Sequence, residues 1–303
     1  MAAENPYAWL KRAHHPSEIA NPGTGNRLIA WPYTKLTVAN PAVNQGAAIL
    51  LTSVANARAA GIPEDRWIFL WSGAAAVEPR DFMARDQFHR SPAMEAVLEA
   101  TLSRAEIDAS ELDYVELYSC FPCVPKMARR FLELPPDMVP TVAGGLTFFG
   151  APLNNYMTHA TAAMVRRLRE RPGAIGLLYG QGEFVTKHHA LVIASRPRPG
   201  VWSIEDASVQ NTADARRGPA PDIEETAAGF ATVETYTVLF GLGSKPDRGV
   251  VVVRTKEGAR AMARVPVEDG PTMNALLDLS HSAVGRSGLL RPAADGLLEW
   301  SAS

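Results

Sequence analysis

Hydrophobic and polar positions change character three times along this chain. Residues 1 to about 40 are rich in Pro, Asn and Gly and keep no period, which predicts loop and surface wrapping. The small and apolar run 45–53 then predicts a strand, and 54–60 an alanine-rich helix closed by Gly61. Residues 67–71 predict a second buried strand. Ser91 and Pro92 open a helix through Ala105, serine as N-cap and proline in the first turn. Residues 113–120 predict a third strand, bounded by Phe121-Pro122, and 124–134 a helix that ends at Pro135-Pro136. Gly144, Gly145 and Gly150 punctuate a loop, and Pro152 is expected to start a long helix to about Glu170. Residues 174–179 and 189–195 predict two more strands around a glycine-bearing turn. Strands alternating with helices predict an α/β layered domain.

Residues 196–200, Arg-Pro-Arg-Pro-Gly, form the clearest linker. Beyond them the period shortens to two. Residues 232–239 and 261–267 alternate, 249–255 are a run of valines, and a short helix is expected over 273–279. The tail therefore predicts a small, mainly β domain, either an antiparallel sheet or a barrel. The expected organisation is a loop or remnant over 1–40, a layered α/β domain with a mixed five-stranded sheet over 41–197, and an additional β-rich domain over 201–303.

Composition narrows the function. The 303 residues are 47% hydrophobic with a formal net charge of -2, and that balance holds no basic footprint for nucleic acid. Arg129-Arg130 and Arg166-Arg167 lie in helix-like stretches and read as solvated faces. No apolar run approaches the roughly 20 residues that span a bilayer, and the first residues lack the basic lead and apolar core of a signal peptide. Two cysteines are too few for a disulfide framework, which points to a reducing cytoplasm.

Three segments carry candidate chemistry. Tyr118-Ser119-Cys120-Phe121-Pro122-Cys123 places polar groups at the carboxyl edge of a strand, where open α/β sheets present their sites. Cys120 there reads either as a general acid/base or nucleophile, or as a buried structural thiol. The Cys-x-x-Cys spacing also admits a redox or metal site, although no second pair exists for a four-cysteine zinc site. In the second segment, Gly144 to His159, a glycine-rich loop runs into a helix whose free N–H groups would suit a phosphate, a carboxylate or an oxyanion. Asn155 and His159 are four apart and share a face, with Asn154 beside them; the plainer reading is a tight loop that packs one helix on the sheet. In the third, Tyr179 to His189, Gly180 and Gly182 allow close backbone approach, Lys187 could meet phosphate and His188 could act as acid or base. A hairpin with a wet histidine pair is the alternative.

Together, in this order and spacing, the three segments resemble the C-terminal part of the thiolase superfamily, most closely its sterol-carrier-protein-2-type, thiolase-like acetyl-CoA acetyltransferases. Tyr118-Ser119-Cys120-Phe121 stands where that group has His-Asp-Cys-Phe, and Gly150-Ala151-Pro152 where it has Gly-His-Pro. Asn154-Asn155-Tyr156, Thr186-Lys187-His188, Glu4 to Trp9, Pro32 to Lys35 and Asn44 to Ala48 also fit. The resemblance covers residues 1 to about 197, and the tail from Val201 resembles an additional C-terminal domain that some thiolase-like proteins carry.

The resemblance implies an acyl-CoA-handling protein of the acyltransferase class in lipid metabolism, with a coenzyme A thioester as ligand and no covalent cofactor or metal. It implies Cys120, His159 and His188 as catalytic candidates, and Tyr118, Gly145, Asn154, Asn155, Gly182 and Lys187 as substrate-binding ones. Thiolases carry their acyl-accepting cysteine in a first half that has no counterpart here, and Ala151 replaces the histidine that helps hold the thioester oxygen. The chain alone is thus not expected to run thiolysis or condensation. Two readings follow: an enzyme part completed by a protein partner or further polypeptide, or a non-catalytic acyl-CoA-binding or scaffolding module. Uncovered apolar surface would make the isolated chain an oligomer or partner-bound.

Overall fold

The computed structural model describes residues 1–118, 120–200 and 206–303. Ser119 of the first motif and the opening residues of the domain expected over 201–303 lie outside them. In chain order the helices are α1 (Pro16–Ala20), α2 (Val54–Ala59), α3 (Pro92–Ala105), α4 (Cys123–Phe131), α5 (Gly145–Phe148), α6 (Tyr156–Glu170), α7 (Gln210–Ala215) and α8 (Gly270–Leu276). The strands are β1 (Leu28–Ala30), β2 (Tyr33–Thr34), β3 (Phe69–Val77), β4 (Tyr114–Leu117), β5 (Ile175–Gly182), β6 (Lys187–Ala194), β7 (Gly229–Phe240), β8 (Pro246–Thr255), β9 (Arg260–Val265), β10 (Ser287–Pro292) and β11 (Leu298–Ala302). The chain divides into one compact unit of residues 1–13, 38–80 and 89–217, and a second of residues 14–37, 81–88 and 218–303.

In the first unit, a mixed sheet of order β3-β6-β5-β4 pairs β4 with β5 in parallel and the others antiparallel. It has four strands among the described residues, one fewer than expected. Side chains alternate across it. Trp71, Val115, Leu117, Leu177, Tyr179 and Val192 face α3 and α4, whereas Leu178 and Ile193 join the core around α6. Helix α3 starts as the sequence predicts, because Ser91 Oγ accepts from Met94 N at 3.2 Å and Pro92 occupies the first turn.

Two expectations in this unit are corrected. Residues 45–53 form no strand: among the described residues they join no ladder, and Leu50 and Leu51 are 81% and 85% exposed. An apolar extended run becomes a strand only when an edge lies beside it, and no edge of this sheet does. The long helix begins at Tyr156 rather than Pro152, because Leu153 is left-handed at φ 48° and forces a short 3₁₀ turn over Leu153–Asn155.

The second unit takes in residues 14–37, expected as loop, which supply α1 and the β1–β2 hairpin. Its described strands run β10-β11-β9-β8-β7-β1-β2, and β10 also pairs with β7. The ring β7-β8-β9-β11-β10 therefore closes, with β9 and β11 parallel and α8 inserted between β9 and β10. That is the arrangement of an OB-type barrel. Val233, Val251, Val253, Ala263, Leu290 and Trp300 fill it.

Arg260 on β9 is fully buried. Its Nε donates to Glu234 Oε2 at 2.6 Å, one terminal nitrogen donates to the carbonyls of Met83 (2.6 Å) and Arg85, and the guanidinium lies 4.6 Å over the Phe88 ring. One side chain thus fastens residues 83–88 into the unit. Arg260→Leu leaves those carbonyls and Glu234 Oε2 without the guanidinium, Glu234 Oε1 keeping Arg254, and should destabilise the barrel by about 3–5 kcal/mol. Urea unfolding checks this; a loss below about 1 kcal/mol contradicts it.

Candidate functional site

Strand β4 turns Tyr114, Glu116 and Tyr118 toward α6, because Val115 and Leu117 take the opposite face. The chain then leaves the sheet, and Cys120, half-buried, packs against the α6 core. Its Sγ lies 3.6 Å from the Tyr118 hydroxyl. Burial, reinforced by Cys120, holds Tyr118 above the ordinary phenol range. Cys123 opens α4 and packs on the other core, against α3. The two thiols therefore serve opposite faces and are both free. Among the described residues no group of three His, Cys, Asp or Glu side chains is placed to hold a metal ion.

A string of rings carries the site from β4 to α6. Tyr118 meets Tyr156 at 5.3 Å between centroids, Tyr156 meets Phe149 at 5.8 Å, and Phe149 meets His159 at 5.5 Å. His159 is buried one turn into α6, and Asn155 Nδ2 donates to its Nε2 at 3.2 Å. Burial lowers the imidazole pKa, a backbone hydrogen bond to Gln45 opposes that, and Arg166 adds to it. The ring is held neutral and accepting. Gly150, at φ 113°, lies tight against the Gln45 side chain, whose amide donates to the carbonyls of Tyr7 and Phe149 at 2.9 Å each. A Cβ at position 150 would displace it. Ala151 is buried behind this contact.

The Gly144-Gly145 corner differs from its sequence reading. The N–H groups of Gly144 and Gly145 do not point outward to a ligand; they donate to Thr141 Oγ1 at 3.0 and 3.2 Å. Asn154 is exposed in the 3₁₀ turn.

The third segment splits across the sheet. Gly180 faces α6, where a Cβ would meet Met157 Cγ at 3.0 Å, and Lys187 follows on that side, exposed and paired with Glu183 at 3.0 Å. Gly182 pairs with Lys187 at the strand ends. His188 points to the α3 face and is fully buried. Its Nε2 donates to the Val185 carbonyl at 3.1 Å, so Nδ1 accepts from the Tyr179 hydroxyl at 2.8 Å. Ser91 Oγ lies 3.2 Å from Nε2 and donates to Glu78 at 2.5 Å, and Arg217 pairs with the same carboxylate at 3.1 Å. This arrangement ties the 182–187 turn to the start of α3. The structure thus puts Tyr118 beside Cys120 and Asn155 beside His159, links the two pairs through Tyr156 and Phe149, and sets His188 on the other side of the sheet.

Sequence reasoning missed Glu116, Thr141 and Tyr156. A lone glutamate between Val115 and Leu117 reads as a solvated strand position, and no local signal marks it as buried.

The model of the thiolase-like protein type 1 additional C-terminal domain matches residues 208–294. A crystal structure of a monomeric SCP2-thiolase like protein type 1 (STLP1) from Mycobacterium smegmatis is similar to this chain at 31% identity and a TM-score of 0.87. The match covers 100% of this chain and 65% of that one, so this chain spans less than two thirds of that relative's length. No curated protein matches.

The lowered pKa of His159 has a defined sign. A folded state that binds a proton more weakly than the unfolded chain gains stability as pH rises toward the ordinary imidazole value of 6.5, and loses it as pH falls below. Melting temperature should climb between about pH 5 and about pH 7, and His159→Gln should flatten that climb. Thermal melts across the range check it; an unchanged slope in the variant contradicts it.

Proposed function

Because the chain belongs to the thiolase superfamily, in its SCP2-type branch, we propose that its first unit holds an acyl-CoA thioester at the end of β4 and the start of α6. The observation that carries this reading is the half-buried Cys120 thiol beside the Tyr118 hydroxyl, joined through Tyr156 and Phe149 to the Asn155–His159 pair. A thiol at a strand's carboxyl edge can take or give a proton at Sγ, and the amide and neutral imidazole offer polar groups for a carbonyl. Lys187, exposed on the same face of the sheet, would meet a phosphate. The acyl-accepting cysteine comes from another polypeptide segment, so this chain contributes one part of an acyl transferase of lipid metabolism. Its two free thiols suit the cytoplasm, and among the described residues no helix is long and apolar enough to cross a membrane.

Ala151, buried at the Gly-x-Pro turn, and the engaged amides of Gly144 and Gly145 favour a second reading, an acyl-CoA-binding or scaffolding module without transfer. Both readings need cover for Leu50, Leu51, Leu70, Val77 and Leu191, which are 39–85% exposed in the first unit. A longer polypeptide or a partner protein supplies it. The similar Mycobacterium protein is longer and is described as monomeric, which supports cover from within one chain.

Calorimetric titration with acetyl-CoA and longer acyl-CoA thioesters tests the binding reading: saturable heat is expected, and none with any thioester contradicts it. In the completed protein, Cys120→Ala should lower acyl transfer by about 10²-fold or more while leaving thioester binding within about threefold. Intact transfer in that variant removes Cys120 from proton transfer; absent transfer in the wild type with binding retained selects the module.

A further inference from the structure

Glu116 lies in the middle of β4 and is 1% exposed. A carboxylate buried there costs several kcal/mol unless its oxygens are satisfied. Among the described residues no arginine, lysine or histidine pairs with it; four donors surround it instead. Tyr156 donates to Oε1 at 2.8 Å, and Thr141 Oγ1 reaches Oε2 at 2.9 Å and Oε1 at 3.1 Å. The backbone N–H groups of Val142 and Ala143 donate to Oε2 at 2.8 and 3.1 Å. Burial pushes the carboxyl pKa up, and these donors pull it back.

The network continues outward in two directions. Thr141 Oγ1, which donates to Glu116, accepts from Gly144 N and Gly145 N, so the corner 141–145 closes on one oxygen pair. Tyr156, the first residue of α6, stacks at a tilt against Tyr118, whose hydroxyl meets Cys120. Its other neighbour, Phe149, lies edge-on and touches His159 in turn.

We infer that Glu116 is a positioning residue for the candidate site: acting through Thr141 it fixes the Gly144-Gly145 corner, and acting through Tyr156 it sets Tyr118 and Cys120. This rests on the acyl-CoA reading above for what the site binds, and on geometry alone for the clamp. Glu116 touches no ligand. Its charge matters less than its acceptor capacity, since Val142 and Ala143 offer Oε2 only donors. A leucine keeps the approximate size and removes both acceptor oxygens, whereas a glutamine can leave its oxygen on the two amides and turn its N–H₂ to the Tyr156 hydroxyl, which also accepts.

Hydrogen exchange and thiol alkylation on the whole chain test the clamp in a Cys123→Ser background. In Glu116→Leu, exchange at amides 142–145 should quicken about tenfold or more, through the loss of the buried acceptors, with α3 and β9 unchanged. Equal quickening throughout the first unit would make Glu116 merely structural and overturn the inference, as would no change at 142–145. Tyr156→Phe keeps Thr141 on the carboxylate; it should leave exchange at 142–145 within about twofold yet change the rate at which iodoacetamide alkylates Cys120 by about threefold or more. An unchanged alkylation rate in both variants overturns the link to Cys120. Titration with acetyl-CoA separates the two claims: if the wild type binds and Glu116→Leu binds about tenfold more weakly, clamp and reading stand together. If the wild type binds no thioester, the acyl-CoA reading falls while exchange and alkylation still decide the clamp.

Discussion

The hydroxyl of Tyr156 and the carboxylate of Glu116 meet at 2.8 Å in a site with no water-facing surface, and the positions of α6, the 141–145 corner and the end of β4 follow from that meeting. A buried carboxylate is tolerated only where donors converge on it. Here they come from two separate stretches of chain, residues 141–143 and the first residue of α6, while the carboxylate itself sits on a third, β4. Satisfying one costly group therefore fixes the relative placement of all three. The candidate chemistry at Cys120 and His159 is built on groups that this contact has already placed.

The sheet then separates what the sequence joins. His188 and Lys187 are adjacent, yet the strand period sends the histidine into the α3 core and leaves the lysine exposed on the α6 side. The same division puts Cys120 and Cys123 against different cores. Glu78, Ser91, Tyr179 and His188 satisfy one another so completely that they read as a strut under the 182–187 turn, whose Glu183 and Val185 both take left-handed backbone.

Legibility in the sequence followed locality. The start of α3 was readable because Ser91 and Pro92 act within a single turn, and the valine run of β8 because its period is its own. The three motif segments were likewise readable as strand ends and loop, and the family resemblance grew from them. Three features resisted because their causes are distant. Residues 45–53 have the composition of a strand but no edge to join. Residues 14–37 lack a period because β1 and β2 are three and two residues long; β1 draws its order from pairing with β7, and β2 from pairing with β1. Glu116 has the residue type of a surface position and is buried only because Thr141 and Tyr156, 25 and 40 residues away, fold over it.

The fold is similar to that of an SCP2-thiolase like protein type 1, with an OB-type barrel following the layered domain. In the proposed function an acyl-CoA thioester seats where β4 ends and α6 begins. Hydrogen exchange of the chain with and without saturating acetyl-CoA measures that seating most directly. Slowed exchange confined to residues 120–123 and 144–159 is expected, with the barrel strands unaffected. Protection confined to the barrel, or none at a concentration where titration shows binding, would contradict it.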